Sequence, residues 1–262
     1  MAGFLPDAAD LAWLLAAAFL AGLFDAAVGG GGLIQVPALF AVLPQVPPAA
    51  LLGTNKLASI FGTLSAVAHY ARSLRFDWRF LRIAAPVALL GALAGASVVA
   101  WLPVAWVRPL VLLLLIVILV RTWRDRQRGL SATPVRARPQ VVAVAAGGGI
   151  GFYDGFFGPG TGSFLIFVFV RWLGQDFLHA SAHAKVVNAS TNLGALIYFA
   201  ATGHVLWLLG FAMTAFNIAG AQVGTRIALK GGAALVRQLF FLLCIALILR
   251  LGWSLAVEWS GQ

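Results

Sequence analysis

The stretch GLFDAAVGGGGLIQVPALF, residues Gly22–Phe40, decides the fold, because it places an aspartate and four consecutive glycines inside an apolar run. The string GFYDGFFGPGTGSF, Gly151–Phe164, repeats its pattern without a gap. The same register matches two pairs of charged residues: Asp25 with Asp154, and Lys56 with Lys185. Duplicated hydrophobic halves are typical of secondary transporters, which hold their substrate at the repeat interface. The sequence therefore predicts two homologous halves.

The composition excludes a water-soluble domain. Of the 262 residues, 61% are hydrophobic and only 10% are charged, and the mean hydropathy is +0.95. The net charge of +10 lies largely in short loops, as the positive-inside rule expects, so no nucleic-acid partner is predicted. The single cysteine, Cys244, excludes an internal disulfide and a CxxC motif. Residues 11–24 resemble a signal-peptide core but follow no basic residue, and we predict a retained span.

Each half contains five apolar segments, so the predicted fold is an all-α polytopic membrane protein with about 8–10 membrane segments. In the first half the segments are 11–28, 33–43, 50–70, 83–100 and 104–120, and in the second half 141–157, 162–173, 183–202, 205–225 and 234–250. The second segment of each half is too short to cross a bilayer and follows a glycine-rich break, which predicts broken or re-entrant helices. The domains are an N-terminal repeat, 1–120, a basic linker, 121–139, and a C-terminal repeat, 140–262.

The basic residues predict that the two halves have inverted topology. Arg72, Arg75, Arg79 and Arg82 follow the third segment of the first half, whereas Arg226, Lys230 and Arg237 follow the fourth segment of the second. With the arginine-rich linker in the cytoplasm, only Arg108 and Arg250 lie outside. If the two halves had the same topology, Arg226, Lys230 and Arg237 would lie outside the cytoplasm. An inverted repeat requires that each half cross the membrane an odd number of times.

Two aspartates and two lysines lie within apolar segments and are the candidates for chemistry. They are the repeat equivalents Asp25 and Asp154, and Lys56 and Lys185. Ionisable residues at membrane depth usually face a cavity and mark a substrate or proton path. We predict that the lysines bind substrate and that the aspartates carry coupling protons. The alternative is structural: each aspartate caps a broken helix or pairs with a lysine to hold the halves together.

The glycine-rich breaks predict an anion site. A helix that begins inside the membrane presents unpaired N–H groups, and glycine lets an anion approach this backbone closely. The predicted binding residues are Gly29, Gly30, Gly31 and Gly32 in the first half and Gly158, Gly160, Thr161 and Gly162 in the second. The alternative, that the glycines only allow close helix packing, suits the pairs Gly91/Gly95 and Gly220/Gly224 better.

Polar residues near the lysines complete the predicted site. They are Thr54, Asn55, His183, Asn188 and Asn192. His183 and Lys185 cannot share a helix face unless the backbone is unwound, whereas Asn188 and Asn192 can. His183 could relay protons, but a membrane histidine more often bonds to a neighbouring helix. The histidines have no metal-ligand spacing, and we expect no metal and no cofactor.

Four strings make the chain resemble the TauE/SafE sulfite exporter family, also called the 4-toluene sulfonate uptake permease family. They are GLFDAAVGGGGLIQVPALF (Gly22–Phe40), LGTNK (Leu52–Lys56), GFYDGFFGPGTGSF (Gly151–Phe164) and AHAKVVNASTN (Ala182–Asn192). The similarity covers nearly the whole chain and is greatest to the branch described as probable membrane transporter proteins. The resemblance implies a multi-pass protein of the bacterial inner membrane that carries small, often sulfur-containing anions such as sulfite or sulfonates.

The sequence thus predicts a secondary transporter of a small anion, coupled to protons, whose partners are the anion and the lipid bilayer. A passive anion channel built from the same residues is the alternative, and a homo-oligomer is left open. An intramembrane enzyme is the third hypothesis. It requires a nucleophile–base pair or a metal site, and Ser59, Ser163 and Ser190 have no suitable partner in the sequence.

Overall fold

The computed structural model describes residues 5–100, 113, 116 and 137–231. Within them, eight helices and no strands occur. The first half contains α1 (Ala8–Val28), α2 (Gly32–Val42), α3 (Pro48–Ala71) and α4 (Trp78–Ala100), and the second half α5 (Pro139–Phe156), α6 (Thr161–Leu173), α7 (Phe177–Ala201) and α8 (Trp207–Leu229). The all-helical prediction is confirmed for this part. The predicted fifth segments, 104–120 and 234–250, lie outside the described residues apart from 113 and 116.

The helix boundaries repeat between the halves. Helices α2, α3 and α4 begin at residues 32, 48 and 78, and α6, α7 and α8 begin at 161, 177 and 207, each 129 positions later. The short helices α2 and α6 have 11 and 13 residues. At 1.5 Å per residue they measure about 17 and 20 Å, well short of a hydrocarbon layer of about 30 Å. Each is separated from the preceding helix by a non-helical break.

Glycines hold the longer helices in two close pairs. On α8, Gly220 packs against the backbone of Phe19 and Gly224 against that of Leu23, so α8 runs alongside α1 in the same direction. Three glycines of α5 contact alanines one turn apart on α4: Gly147 with Ala84, Gly151 with Ala88 and Gly155 with Ala92. Helices α4 and α5 are therefore also parallel. Small residues at these crossings let the two backbones approach, as in other membrane helix pairs.

Contacts at the helix ends fix the direction of α3 and α7. Gly53, near the start of α3, lies against Phe199, near the end of α7, so these two helices are antiparallel. Gly53 also contacts the carbonyl of His204, just before α8, and Gly62 contacts Asn217, so α3 and α8 are parallel. On α7, His183 bonds Asp77 at the start of α4. Helices α3 and α8 thus run opposite to α7.

The surface of the bundle is apolar and its interior contains charged and amide side chains. Leu90, Val141 and Phe211 are more than half exposed, whereas the side chains of Lys56 and Lys185 are buried. Two described helices, Ala8–Val28 and Trp78–Val99, are long and apolar enough to cross a membrane, and Gly32–Val42 and Thr161–Leu173 are shorter apolar helices. An apolar exterior around buried polar groups is suited to lipid surroundings.

Candidate functional site

A cavity lies between the two helix breaks, and residues of both halves line it. The residues predicted from the sequence that line this cavity are Asp25, Gly30, Gly31, Gly32, Asn55, Lys56, Asp154, Gly158, Gly160, Thr161, Gly162, Asn188 and Asn192. They come from six helices or their flanking breaks. The structure therefore brings together, in one place, most of the residues that the sequence predicts for binding.

The two breaks face each other across the cavity. The first runs through Gly29 and Gly30, both with positive φ, and the second through Gly158 and Gly160, with φ values of 98° and 86°. These angles favour glycine because a side chain is strained there. A Cβ at Gly32 would lie 3.0 Å from the Cα of Pro159, so the backbones of the breaks are in close contact. Glycine is needed at this crossing for packing as well as for conformation.

Two ion pairs cross between the halves, and each joins a lysine to the aspartate of the other half. The Lys56 ammonium donates to Asp154 Oδ2 at 2.8 Å, and the Lys185 ammonium donates to Asp25 Oδ2 at 2.9 Å. The Lys56 and Asp154 side chains are 2% and 3% exposed. Lys185 is fully buried, whereas Asp25 is 18% exposed. The pairs tie the halves together and also place carboxylates and an ammonium group in the cavity wall.

The second oxygen of each aspartate has a different partner in the two halves. Asp154 Oδ1 accepts a hydrogen bond of 2.7 Å from the Thr161 hydroxyl, and Asp25 Oδ1 accepts one of 3.2 Å from the backbone N–H of Gly30. Both aspartates therefore bond to the break of their own half and to the lysine of the other half. The ion pair between the halves is one of the two structural roles named as alternatives to proton coupling, whereas the starts of α2 and α6 have no side-chain cap bond.

Two predicted binding residues, Thr54 and His183, lie away from the cavity lining. The Thr54 hydroxyl accepts a hydrogen bond of 2.9 Å from the backbone N–H of Leu206, just before α8. At the equivalent position, His183 Nε2 accepts a bond of 2.9 Å from the backbone N–H of Asp77, just before α4. The other ring nitrogen of His183 lies 2.9 Å from Gln175 Oε1. The two residues thus satisfy equivalent backbone donors at helix starts, which is a structural role.

Gly29 and Lys185 are also absent from the residues that line the cavity. A Cβ at Gly29 would lie 2.7 Å from the backbone nitrogen of Ser163, so this glycine is packed against the start of α6. Lys185 itself does not line the cavity, but its ion-pair partner Asp25 does. Of the two lysines predicted to bind substrate, Lys56 therefore lines the cavity and Lys185 does not.

Four lining residues were missed by the sequence reasoning: Ala21, Ser59, Thr63 and Asn217. Ser59 and Thr63 follow Lys56 by three and seven positions, a spacing that places them on the same helix face. They are also the repeat equivalents of Asn188 and Asn192, so two signals could have found them. For Asn217 the only signal was an amide within an apolar segment. Its Nδ2 donates to Gln35 Oε1 at 3.0 Å and to the Ala18 carbonyl at 3.1 Å.

Ionisable groups at the start of α7 form a local cap. Asp176 accepts bonds from the backbone N–H groups of Leu178 and His179. Partial burial acts to raise the pKa of Asp176, but these backbone bonds and the His179 ring outweigh it, so the pKa is below its usual value. In the described residues, no group of three or more histidine, cysteine, aspartate or glutamate side chains could hold a metal ion.

Comparison with known proteins places this chain in a family. The family model described as "Sulfite exporter TauE/SafE" matches residues 14–251. A probable membrane transporter protein, ORF9, of a Sinorhizobium species is 39% identical over 244 residues, 92% of each chain. The probable membrane transporter protein YfcA of Escherichia coli K12 is 36% identical over 85% of this chain and 82% of its own length. A probable membrane transporter protein of Haemophilus influenzae is 34% identical over 93% and 96%.

These relatives are named as transporters, in agreement with the expectation that the chain is not an enzyme. No solved structure gives a significant match to the chain.

Proposed function

The chain belongs to the TauE/SafE family, and on that premise we propose that it is a secondary transporter which moves a small anion across the bacterial inner membrane together with protons. The observation that carries the proposal is the pair of cross-half lysine–aspartate bonds at one cavity, Lys56 with Asp154 and Lys185 with Asp25. Buried charges of this kind are costly in a membrane and are characteristic of substrate and proton paths.

The charge balance of these four residues supports proton coupling. Two ammonium groups and two carboxylates sum to zero, so the empty site is neutral. An anion that enters alone adds an uncompensated negative charge in a low-dielectric region, which is strongly unfavourable. A proton taken up by one aspartate restores neutrality and frees its lysine to pair with the anion. Anion and proton then move together, and Asp25 and Asp154 are the proposed proton carriers.

The lining suits a small anion that accepts several hydrogen bonds. The ammonium of Lys56 supplies charge, and the amides of Asn188 and Asn192 can donate N–H groups. Glycines of the breaks let a ligand reach backbone N–H groups without meeting side chains. The description of the family model names sulfite, and we propose a sulfur-containing anion such as sulfite or an organosulfonate as the substrate.

We further propose that the halves are inverted repeats, related by an approximate two-fold axis in the membrane plane. Support comes from helix direction: α3 and α8 run one way and their repeat partners α7 and α4 run the other. The exchange of ion-pair partners between halves is also what a two-fold relation produces. In this arrangement, rocking of one half against the other exposes the midplane cavity to each side in turn.

Transport by purified protein in proteoliposomes tests the function. Uptake of ³⁵S-labelled sulfite and methanesulfonate is measured with and without an inward proton gradient, while valinomycin and potassium hold the membrane potential at zero. We expect the proton gradient to drive accumulation of at least one anion. The Lys56→Gln variant should lose transport by about tenfold or more, because an ammonium–anion contact contributes more than about 1.4 kcal/mol.

The control is Lys230→Gln, which removes an exposed lysine beyond the end of α8 and should transport normally. A flux that ignores the proton gradient at zero potential would identify a passive channel instead. Asp154→Asn separates the roles of the aspartates, since a proton carrier should lose gradient-driven uptake but retain anion exchange. Gradient-driven uptake in the Asp25→Asn/Asp154→Asn double variant would show that both aspartates are structural.

A further inference from the structure

Building on the proposed function, we infer that the two lysines are not equivalent. Lys56, with the carboxamide of Asn55 beside it, contacts the transported anion, and Lys185 positions Asp25 without touching the anion. The repeat gives both halves a lysine, so the difference between them must come from the surroundings of each one.

The ammonium of Lys56 lies at the cavity wall, next to the backbone of the second break. A Cβ at Gly158 would be 2.9 Å from Lys56 Nζ, so the ammonium occupies the place that a side chain would take. Both Lys56 and its partner Asp154 line the cavity. A ligand in the cavity can therefore reach this ammonium directly.

The equivalent place in the first half is filled by backbone. A Cβ at Gly29, the counterpart of Gly158, would lie 2.7 Å from Ser163 N and 3.0 Å from Gly162 Cα. The Ser163 hydroxyl donates to the carbonyl oxygens of Gly29 and Val28, which fixes the start of α6 against this break. The counterpart of Ser163 is Ile34, which has no hydroxyl. Lys185 is accordingly fully buried and absent from the lining.

Two polar residues on the Lys56 side of the cavity have no polar counterpart on the Lys185 side. The Oδ1 atom of Asn55 is buried without a hydrogen-bond partner in the described part of the chain, and Asn55 lines the cavity. An unpaired buried amide oxygen is unfavourable, and rotation of the carboxamide can offer either its oxygen or its N–H groups to a ligand. The repeat equivalent of Asn55 is Ala184, and that of the lining residue Asn217 is Ala88. These two amides therefore distinguish the Lys56 side of the cavity from the Lys185 side, where Asn188 and Asn192 follow the lysine.

The hydrogen-bond partners of the two aspartates support the same difference between the two lysines. If an anion displaces Asp154 from Lys56, the Thr161 hydroxyl still holds the other carboxylate oxygen. The counterpart of Thr161 is Gly32, so Asp25 has no such hydroxyl and depends on Lys185 and a longer backbone bond of 3.2 Å. The Lys56–Asp154 pair is the one that can open while its carboxylate stays in place.

Cysteine reactivity tests this inference without knowledge of the substrate. In a Cys244→Ser background, which removes the only native cysteine, Asn55→Cys and Ala184→Cys place a thiol at equivalent positions beside the two lysines. Detergent-solubilised protein, with both faces accessible, is treated with the anionic reagent 2-sulfonatoethyl methanethiosulfonate. We expect the thiol at position 55 to react at least about tenfold faster, because it lines the cavity beside an ammonium group. Equal rates at the two positions would overturn the inference.

Anion exchange kinetics provide the second arm. The double variants Lys56→Gln/Asp154→Asn and Lys185→Gln/Asp25→Asn each remove one ion pair without leaving a lone charge. Exchange of ³⁵S-sulfite should show a KM raised about tenfold or more in the first, and a lowered kcat with KM within about threefold in the second. Equal increases in KM would contradict the inference. If the native protein exchanges no anion, the proposed function fails for that anion, and the cysteine rates still decide the asymmetry.

Discussion

Replacing Asp154 with asparagine would leave the Lys56 ammonium buried without a counter-charge. Asparagine has nearly the shape of aspartate, so the change removes charge with little effect on packing. The pair measures 2.8 Å, and its side chains are only 2% and 3% exposed, so the remaining ammonium would stay largely desolvated. The consequence should be a large loss of stability in addition to any effect on transport.

The expected size follows from the burial of the pair. Removing one partner of a buried ion pair costs about 3–5 kcal/mol, because the remaining charge stays desolvated. Lys56→Gln leaves the Asp154 carboxylate buried without its ammonium partner, and the loss should be of similar size. The double variant Lys56→Gln/Asp154→Asn contains no lone charge and should be more stable than Asp154→Asn alone.

The assay is equilibrium unfolding in mixed dodecyl maltoside and sodium dodecyl sulfate micelles, followed by tryptophan fluorescence. The four proteins of the cycle give a coupling energy between Lys56 and Asp154, which we expect to be about 2 kcal/mol or more. Asp10→Asn is the matched control, since Asp10 lies near the start of α1, and its change should be within about 0.5 kcal/mol. A coupling energy near zero would show that the two charges contribute independently and would contradict this expectation.

Two further predictions concern packing and topology. Gly220→Ala should destabilise the protein by about 1–3 kcal/mol in the same assay, because its Cβ would overlap the α1 backbone, whereas Gly149→Ala, which meets no atom within 4 Å, should not; equal effects would contradict the close helix contact. Single cysteines at Ser131 and His204, in the Cys244→Ser background, should label from opposite sides of intact membrane vesicles. Labelling of both from the same side would rule out the inverted arrangement.

Within the described residues, the sequence was sufficient to predict the helices and where they break. Apolar run length distinguishes a full span from a short segment, and four consecutive glycines do not continue a helix. The predicted short segments 33–43 and 162–173 correspond to Gly32–Val42 and Thr161–Leu173. These features depend on local composition, which a single chain displays directly.

Site residues with a helical spacing or a repeat partner could also be found, and others could not. Asn188 and Asn192 were predicted because they lie four positions apart, and both line the cavity. Asn217 also lines the cavity, but its position there depends on how α8 packs against α1 and α3. His183 was predicted from its residue type and its proximity to Lys185. In the structure, its ring instead accepts a hydrogen bond from the backbone N–H of Asp77, just before α4.

The amino-acid sequence alone shows four ionisable residues at equivalent places in two apolar halves, beside glycine-rich breaks. Each lysine pairs with the aspartate of the other half, over separations of 98 and 160 residues, and this pairing depends on how the helices pack. The structure also places Lys56 in the cavity lining and the fully buried Lys185 outside it. The reason is that hydropathy and backbone conformation are local properties, whereas the partner of a buried charge is set by which helices pack together.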